Sequence, residues 1–191
     1  MSVKTNPFSF ARNQNGLTLL EMLITVAILA ILIGIVAPSI NSILVKNRVT
    51  GDINTLSAIA QQARFTAVDE QFNVLLCPTT DYGSCVNDWA NAKMVFIDEN
   101  GNGSRDTNEE LIASSDPLNS GNTISGITGT VTFTEQGSIS TAATITICPN
   151  SADVSYASAL LFSLFGRISV AIDSDDDGVK ENLSGTALTC P

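Results

Sequence analysis

The sequence predicts an α+β protein in which a long N-terminal helix, transmembrane at first and amphipathic later, packs on an antiparallel β-rich head. Three observations predict it. An apolar run fills residues 17–37, apolar residues recur at spacings of three and four as far as Ala67, and after Phe72 short β-type runs alternate with turn residues. With 191 residues and 44% apolar content, the chain suits one globular domain of ordinary size plus one membrane element.

The run LTLLEMLITVAILAILIGIVA, from Leu17 to Ala37, carries a single charge, Glu21. At about 1.5 Å per residue it reaches across a bilayer core, so 17–40 is expected to form one transmembrane segment. Ahead of it, MSVKTNPFSFARNQNG holds Lys4 and Arg12 and no acid, which keeps that end cytoplasmic and sends the rest outward. A secretory signal peptide would place its cleavage site after the apolar core, whereas here the small residue, Gly16, stands before it. A carboxylate inside such a run is costly and marks a function, so Glu21 needs a partner. Pro38, just beyond the run, removes a helical hydrogen bond and is expected to kink the helix.

From 41 to 72 the chain reads as an amphipathic stem. Ile53, Leu56, Ala60, Ala63 and Ala67 fall on one face, to pack on the head, and Asn54, Gln61, Gln62 and Asp69 fall on the other. The head, 73–191, should contain strands near Asn73 to Cys77, Lys93 to Asp98, Leu111 to Ser115, Gly129 to Thr134, Thr141 to Cys148 and Leu160 to Ala171. Strands in succession without helices between them argue for an antiparallel sheet or small sandwich. Trp89 and Phe96 read as core or loop-anchoring aromatics.

Composition excludes several functions. With no His, His-based acid–base catalysis, Ser-His and Cys-His nucleophiles and His metal ligands are ruled out, and no other motif has catalytic spacing, so an enzyme is not expected. The 19 acidic residues outweigh 9 basic ones, which argues against a general polyanion-binding surface. Cys77, Cys85, Cys148 and Cys190 all follow the membrane segment, and an even count there reads as two disulfides made in an oxidising compartment. Cys77 and Cys85 are close enough to staple a local loop, leaving Cys148 with Cys190 to tie down the C-terminus.

Two loops carry cation-ligand spacing. Asp98-Glu99-Asn100-Gly101-Asn102-Gly103, followed by five residues and Glu109, satisfies D-x-[DN]-x-[DN]-G-x5-E, with Asp98, Asn100, Asn102, Ser104 and Glu109 as oxygen ligands for calcium. Arg105 places a positive charge inside that loop, and an acidic Asn/Gly-rich hairpin is the competing reading. Asp173-Ser174-Asp175-Asp176-Asp177-Gly178 offers Asp173, Asp175 and Asp177 at alternate positions, with Ser184 where a distal Glu would fall and Glu181 as a substitute. The competing reading there is a solvated acidic loop held by the C-terminal bridge. Calcium in either loop would be structural; no cofactor is required.

Gly16-Leu17-Thr18-Leu19-Leu20-Glu21 resembles the prepilin processing motif of type IV pilins and type II secretion pseudopilins, with Leu17 where the family usually has Phe. The resemblance implies that a prepilin peptidase removes leader 1–16 by cutting between Gly16 and Leu17 and methylates the new amine. Glu21 would then neutralise a neighbouring subunit's N-terminus in the fibre. The head resembles the GspH/FimT group in the order of Ala63-Arg64, Leu76-Cys77-Pro78 with Cys85, Trp89, Val95-Phe96-Ile97-Asp98 with its Asn/Gly turn, and Gly166-Arg167 near the end of a late strand. What this implies is a pilin-like minor pilin of a type IV pilus or, alternatively, a type II secretion pseudopilin. Its partners would be other pilins or pseudopilins, the peptidase and an inner-membrane assembly platform. It would sit in the inner membrane as a single-pass protein with a periplasmic head, then in the fibre. Some FimT-like members bind DNA through a Gly-Arg-x-Arg pattern; here Arg167 is kept as the candidate DNA contact, Ser169 replaces the second Arg, and the acidic run 173–177 follows, so a DNA-binding competence pilin is only the lesser alternative and DNA is not expected as a partner.

Overall fold

A computed structural model describes residues 16–191, with the side chains of 35–39 outside the description. The leader's Lys4 and Arg12 and the expected kink at Pro38 therefore lie outside the described residues. The chain divides into two units between Asn41 and Ser42. Helix α1, Leu19–Glu70, contributes to both.

In the second unit, the stem part of α1 meets two antiparallel four-stranded sheets. Strands β1 (Asn73–Thr79), β2 (Ala92–Asp98), β3 (Leu111–Ser115) and β5 (Val131–Phe133) form one sheet in the order β3-β2-β1-β5. Strands β4 (Asn122–Ser125), β6 (Ala143–Pro149), β7 (Ser158–Phe162) and β8 (Ile168–Val170) form the other, in the order β4-β6-β7-β8. The expected stem face is the buried one: Ile53, Leu56, Ala60, Ala63 and Ala67, joined by Val49 and Ile59, share one core with Val74, Leu76, Val95, Ile97, Phe133, Ile145, Ile147, Leu160 and Phe162. Asn54, Gln61, Gln62 and Asp69 are exposed. Small residues at 60, 63 and 67 let the helix approach closely, while the Phe133 and Phe162 rings, 6.3 Å apart and tilted by 51°, join the two sheets. Each large apolar side chain so buried contributes about 1.5–3 kcal/mol.

Strand alternation leaves both sheets with apolar outer faces. Behind the first, Leu75, Cys77, Met94 and Phe96 form a second cluster covered by Tyr82 and Cys85 of the loop closed by the Cys77–Cys85 disulfide. Behind the second, Ala159 and Leu161 are covered by Ala171, Val179 and Leu188 of the C-terminal segment, which the Cys148–Cys190 disulfide ties down. Two stapled covers thus complete a core that one helix cannot close alone. Trp89, 2% exposed, donates its indole N–H to the Gly129 carbonyl at 2.9 Å and so anchors the β1–β2 connection. Within the first cover, Asp81 accepts from the main chain of Ser84 and Gly83, which lowers its pKa to about 2.

Two strand expectations are corrected. The apolar stretch Leu160 to Ala171 is not one strand but the β7–β8 hairpin, because Gly166 adopts φ 70° and turns the chain. Leu164 and Phe165, which made the run look continuous, are exposed in that turn. Gly166-Arg167 accordingly sits in the turn rather than near a strand end. Strand β4, absent from the expected strands, holds one apolar residue, Ile124, between two glycines and takes its place by pairing with β6.

Gly166 has a second constraint. A Cβ there would collide with the Gly137 carbonyl, the same carbonyl that accepts from Arg64 Nε at 3.0 Å. The stem, the 134–138 turn and the β7–β8 turn therefore interlock at one point. Gly166→Ala adds a strained φ to this clash and should cost about 2–3 kcal/mol, a fall in Tm of roughly 5–10 °C. Thermal denaturation followed by circular dichroism checks it.

Candidate functional site

The first turn of α1 shows why the helix begins where it does. Thr18 precedes it; its Oγ1 accepts from the Glu21 N–H at 3.2 Å and its carbonyl accepts from the Met22 N–H at 3.1 Å. Thr-x-x-Glu is a capping-box sequence, and it fixes Glu21 in the first turn, where the positive end of the helix dipole favours a carboxylate. Gly16 and Leu17 lie outside the helix and are exposed, so the Gly16–Leu17 peptide bond is free of helical hydrogen bonding and open to solvent.

Beyond that turn, the side chains of Leu19, Leu20, Leu23, Ile24, Val26, Ile28, Leu29, Ile31 and Ile33 are all exposed. They point all round the helix, which therefore has no polar face to give to water. Such a surface needs an apolar surrounding on every side. Among the described residues no helix is long and apolar enough to cross a membrane. Those described side chains end at residue 34, short of the roughly 20 residues a bilayer core needs, and 35–37 of the expected span 17–40 lie outside the description.

The 98–109 loop is closed by its own main chain. Asp98 accepts from the N–H groups of Asn102 and Gly103, and Glu109 from those of Glu99 and Asp106, at 2.9–3.1 Å. Both acids are buried, and each of their oxygens has a donor. Asn100 and Asn102 donate their amides to Asp106 Oδ2, and Ser104 donates its N–H to Asn102 Oδ1. Asp106 is a residue sequence reasoning missed, since it falls outside the ligand spacing. Arg105 turns back to donate to the carbonyls of Tyr82 and Glu109, joining this loop to the Cys77–Cys85 cover.

The 173–181 loop is built differently. Asp173, Asp175 and Asp177 each accept one main-chain N–H, from Gly178, Asp177 and Val179 respectively. One oxygen from each of these acids and from Glu181 comes within 4.8 Å of the others. The expected substitute ligand, Glu181, is thus brought to the aspartates, while Ser184 instead bonds Asn182 and Thr186. Arg167 is exposed in the β7–β8 turn, lining one hollow with Arg64 and another with Ser174 and Glu181.

Family models match in two places. Residues 52–162, more than half of the chain, match the family described as type II transport protein GspH, and residues 11–37 match the prokaryotic N-terminal methylation motif. The chain belongs to the GspH family. This is a family of minor pilins and pseudopilins, structural subunits rather than enzymes. Among solved structures, this GspH-family chain is similar to the type IV minor pilin FimU of Pseudomonas aeruginosa, with 22% identity, 66% of this chain and 90% of FimU covered, and a TM-score of 0.54. It is also similar to the minor pseudopilin EpsH of the Vibrio cholerae type 2 secretion system, with 10% identity, coverages of 67% and 99%, and a TM-score of 0.50. At these identities the likeness shows the pilin-like fold. No curated protein matches the chain significantly.

Within that fold, the Asn/Gly turn after β2 owes its order to Glu109. Replacing it by Ala strands two N–H donors and should cost about 2–4 kcal/mol, whereas the exposed Glu110→Ala should stay within about 0.5 kcal/mol. Urea denaturation of both variants measures the difference.

Proposed function

We propose that the protein is a minor pilin of a type IV pilus, held in the inner membrane as a precursor until a prepilin peptidase cuts after Gly16. The observation that carries this reading is the apolar surface of α1 from Leu19 to Ile33, uncovered in the single chain and interrupted near its start by Glu21 and by Thr25, whose hydroxyl is satisfied by the Met22 carbonyl. Lipid covers such a helix in the precursor. In a fibre, the same helices of neighbouring subunits cover it, and the apolar area passes from one dry surrounding to another.

Glu21 makes that transfer selective. A carboxylate at membrane depth costs about 2.5–3.5 kcal/mol, and the amine freed at Leu17 of a neighbour supplies the opposite charge. Cleavage therefore does two things: it removes the cationic leader that holds the N-terminus at the cytoplasmic face, and it creates the partner for Glu21. The exposed, non-helical Gly16–Leu17 bond suits the peptidase, and the assembly platform would receive the processed chain. The likeness to FimU supports the pilus rather than the secretion machine. The GspH family description and the likeness to EpsH favour the second reading, a pseudopilin of a type II secretion system.

Deleting the gene in the native host should abolish or thin surface pili and leave type II exoprotein secretion intact; lost secretion with intact pili would make the protein a pseudopilin. Glu21→Ala should be processed normally yet enter the fibre at least about tenfold less, since an unpaired buried charge in a neighbour costs about 3–5 kcal/mol. Immunoblots of sheared fibres and of membranes give the ratio. Mutant protein at the normal level in fibres would contradict the pairing.

A further inference from the structure

We propose that the C-terminal loop 173–181 is a calcium site, with Asp173, Asp175, Asp177 and Glu181 as its ligands. Four carboxylates bring one oxygen each within 4.8 Å of one another. Calcium–oxygen distances of about 2.3–2.6 Å require opposed ligand oxygens to lie no more than about 5 Å apart, so the cluster has the dimensions of a shell around one ion.

Acidic loops commonly gather without an ion, and two buried oxygens set this one apart. Glu181 is only 7% exposed, and its Oε2 is held by the N–H and Oγ of Ser174, both at 2.8 Å. That bond leaves Oε1 buried without a hydrogen-bond partner. Asp173 repeats the pattern: Oδ2 accepts from Gly178 N–H at 2.9 Å, while Oδ1 is buried and unpartnered. A buried carboxylate oxygen with no donor is costly, and two in one cluster of four acids cost more still. In the 98–109 loop, by contrast, every oxygen of both buried acids has its donor.

Arg167 lines a hollow with Glu181 without pairing with it. Lys180 lies within the loop, but its Nζ donates to Ser158 Oγ, and among the described residues no basic group pairs with the four acids. Two residues of the loop, Asp176 at φ 60° and Gly178 at φ 90°, take the left-handed conformation that turns the chain sharply. An all-oxygen, all-carboxylate set suits a hard cation. Zinc is disfavoured because the chain has no His and both cysteine pairs are in disulfides. Magnesium fits less well, since it keeps most of its waters and is seldom held by four protein carboxylates. The bound ion would fasten the C-terminal cover, with its Val179 and Leu188, over Ala159 and Leu161.

The full-length chain, oxidised, purified in detergent and stripped with a chelator, is titrated with calcium chloride while binding is followed by calorimetry and stability by thermal denaturation. One calcium should bind at about 1 mM or below, the range of extracellular modules. At ten times Kd, Tm should rise by about 3–6 °C. Asp175→Asn, an isosteric change at an exposed residue, and Glu181→Gln should weaken binding at least about tenfold, while Asn100→Ala in the other loop should leave it unchanged. Absence of binding at about 10 mM calcium, well above that range, would overturn the proposal. So would binding that Asp175→Asn leaves intact and Asn100→Ala abolishes.

Discussion

Everything in the second unit depends on one helical face serving two sheets. Val49, Ile53, Leu56, Ile59, Ala60, Ala63 and Ala67 cover the inner faces of both, and the Phe133–Phe162 contact closes the seam between them. A single helix has no more apolar surface to offer, so the outer faces must be covered otherwise. Two covers do this, the Cys77–Cys85 loop over Leu75, Met94 and Phe96, and the C-terminal segment over Ala159 and Leu161. Both are irregular segments that bury little by themselves, which explains the disulfide on each: a covalent closure lowers the entropy of the unfolded cover where packing alone is insufficient.

The first part of α1 follows the opposite rule. The stem face is satisfied within the chain, whereas the apolar surface before it is satisfied only by other molecules. On the proposed reading that surface serves assembly, and Glu21 is its one charged residue. Arg64 and Gly166 stabilise the head near the end of the stem, where the helix, the Gly137 turn and the β7–β8 turn meet. That contact gives Gly166 a structural reason to be present that involves no nucleic acid.

Much of this was legible in the sequence, for identifiable reasons. The helix faces are strict repeats, so Ile53, Leu56, Ala60, Ala63 and Ala67 could be placed without a structure, and β1, β2, β3, β5 and β6 are apolar runs bounded by turn residues. Strand β4 escaped because its place in the sheet comes from pairing with β6 rather than from its own residues. The β7–β8 hairpin escaped because Leu164 and Phe165 extend the apolar pattern through a turn that only Gly166 marks. At the loops, ligand spacing identified Asp98, Glu109, Asp173, Asp175 and Asp177 equally. What separates the loops is the supply of N–H donors to each oxygen, and that depends on three-dimensional geometry. Asp106 and Arg105 act through such geometry, outside any spacing rule.

On the proposed reading, the surface around Leu23 passes from lipid into contact with other subunits. A photo-crosslinking amino acid at position 23, introduced in the native host and activated before fibres are sheared from the cells, tests it directly. An adduct between this chain and a second pilin-type subunit is expected in the sheared-fibre fraction. Adducts confined to the membrane fraction, with none in the fibres, would contradict it.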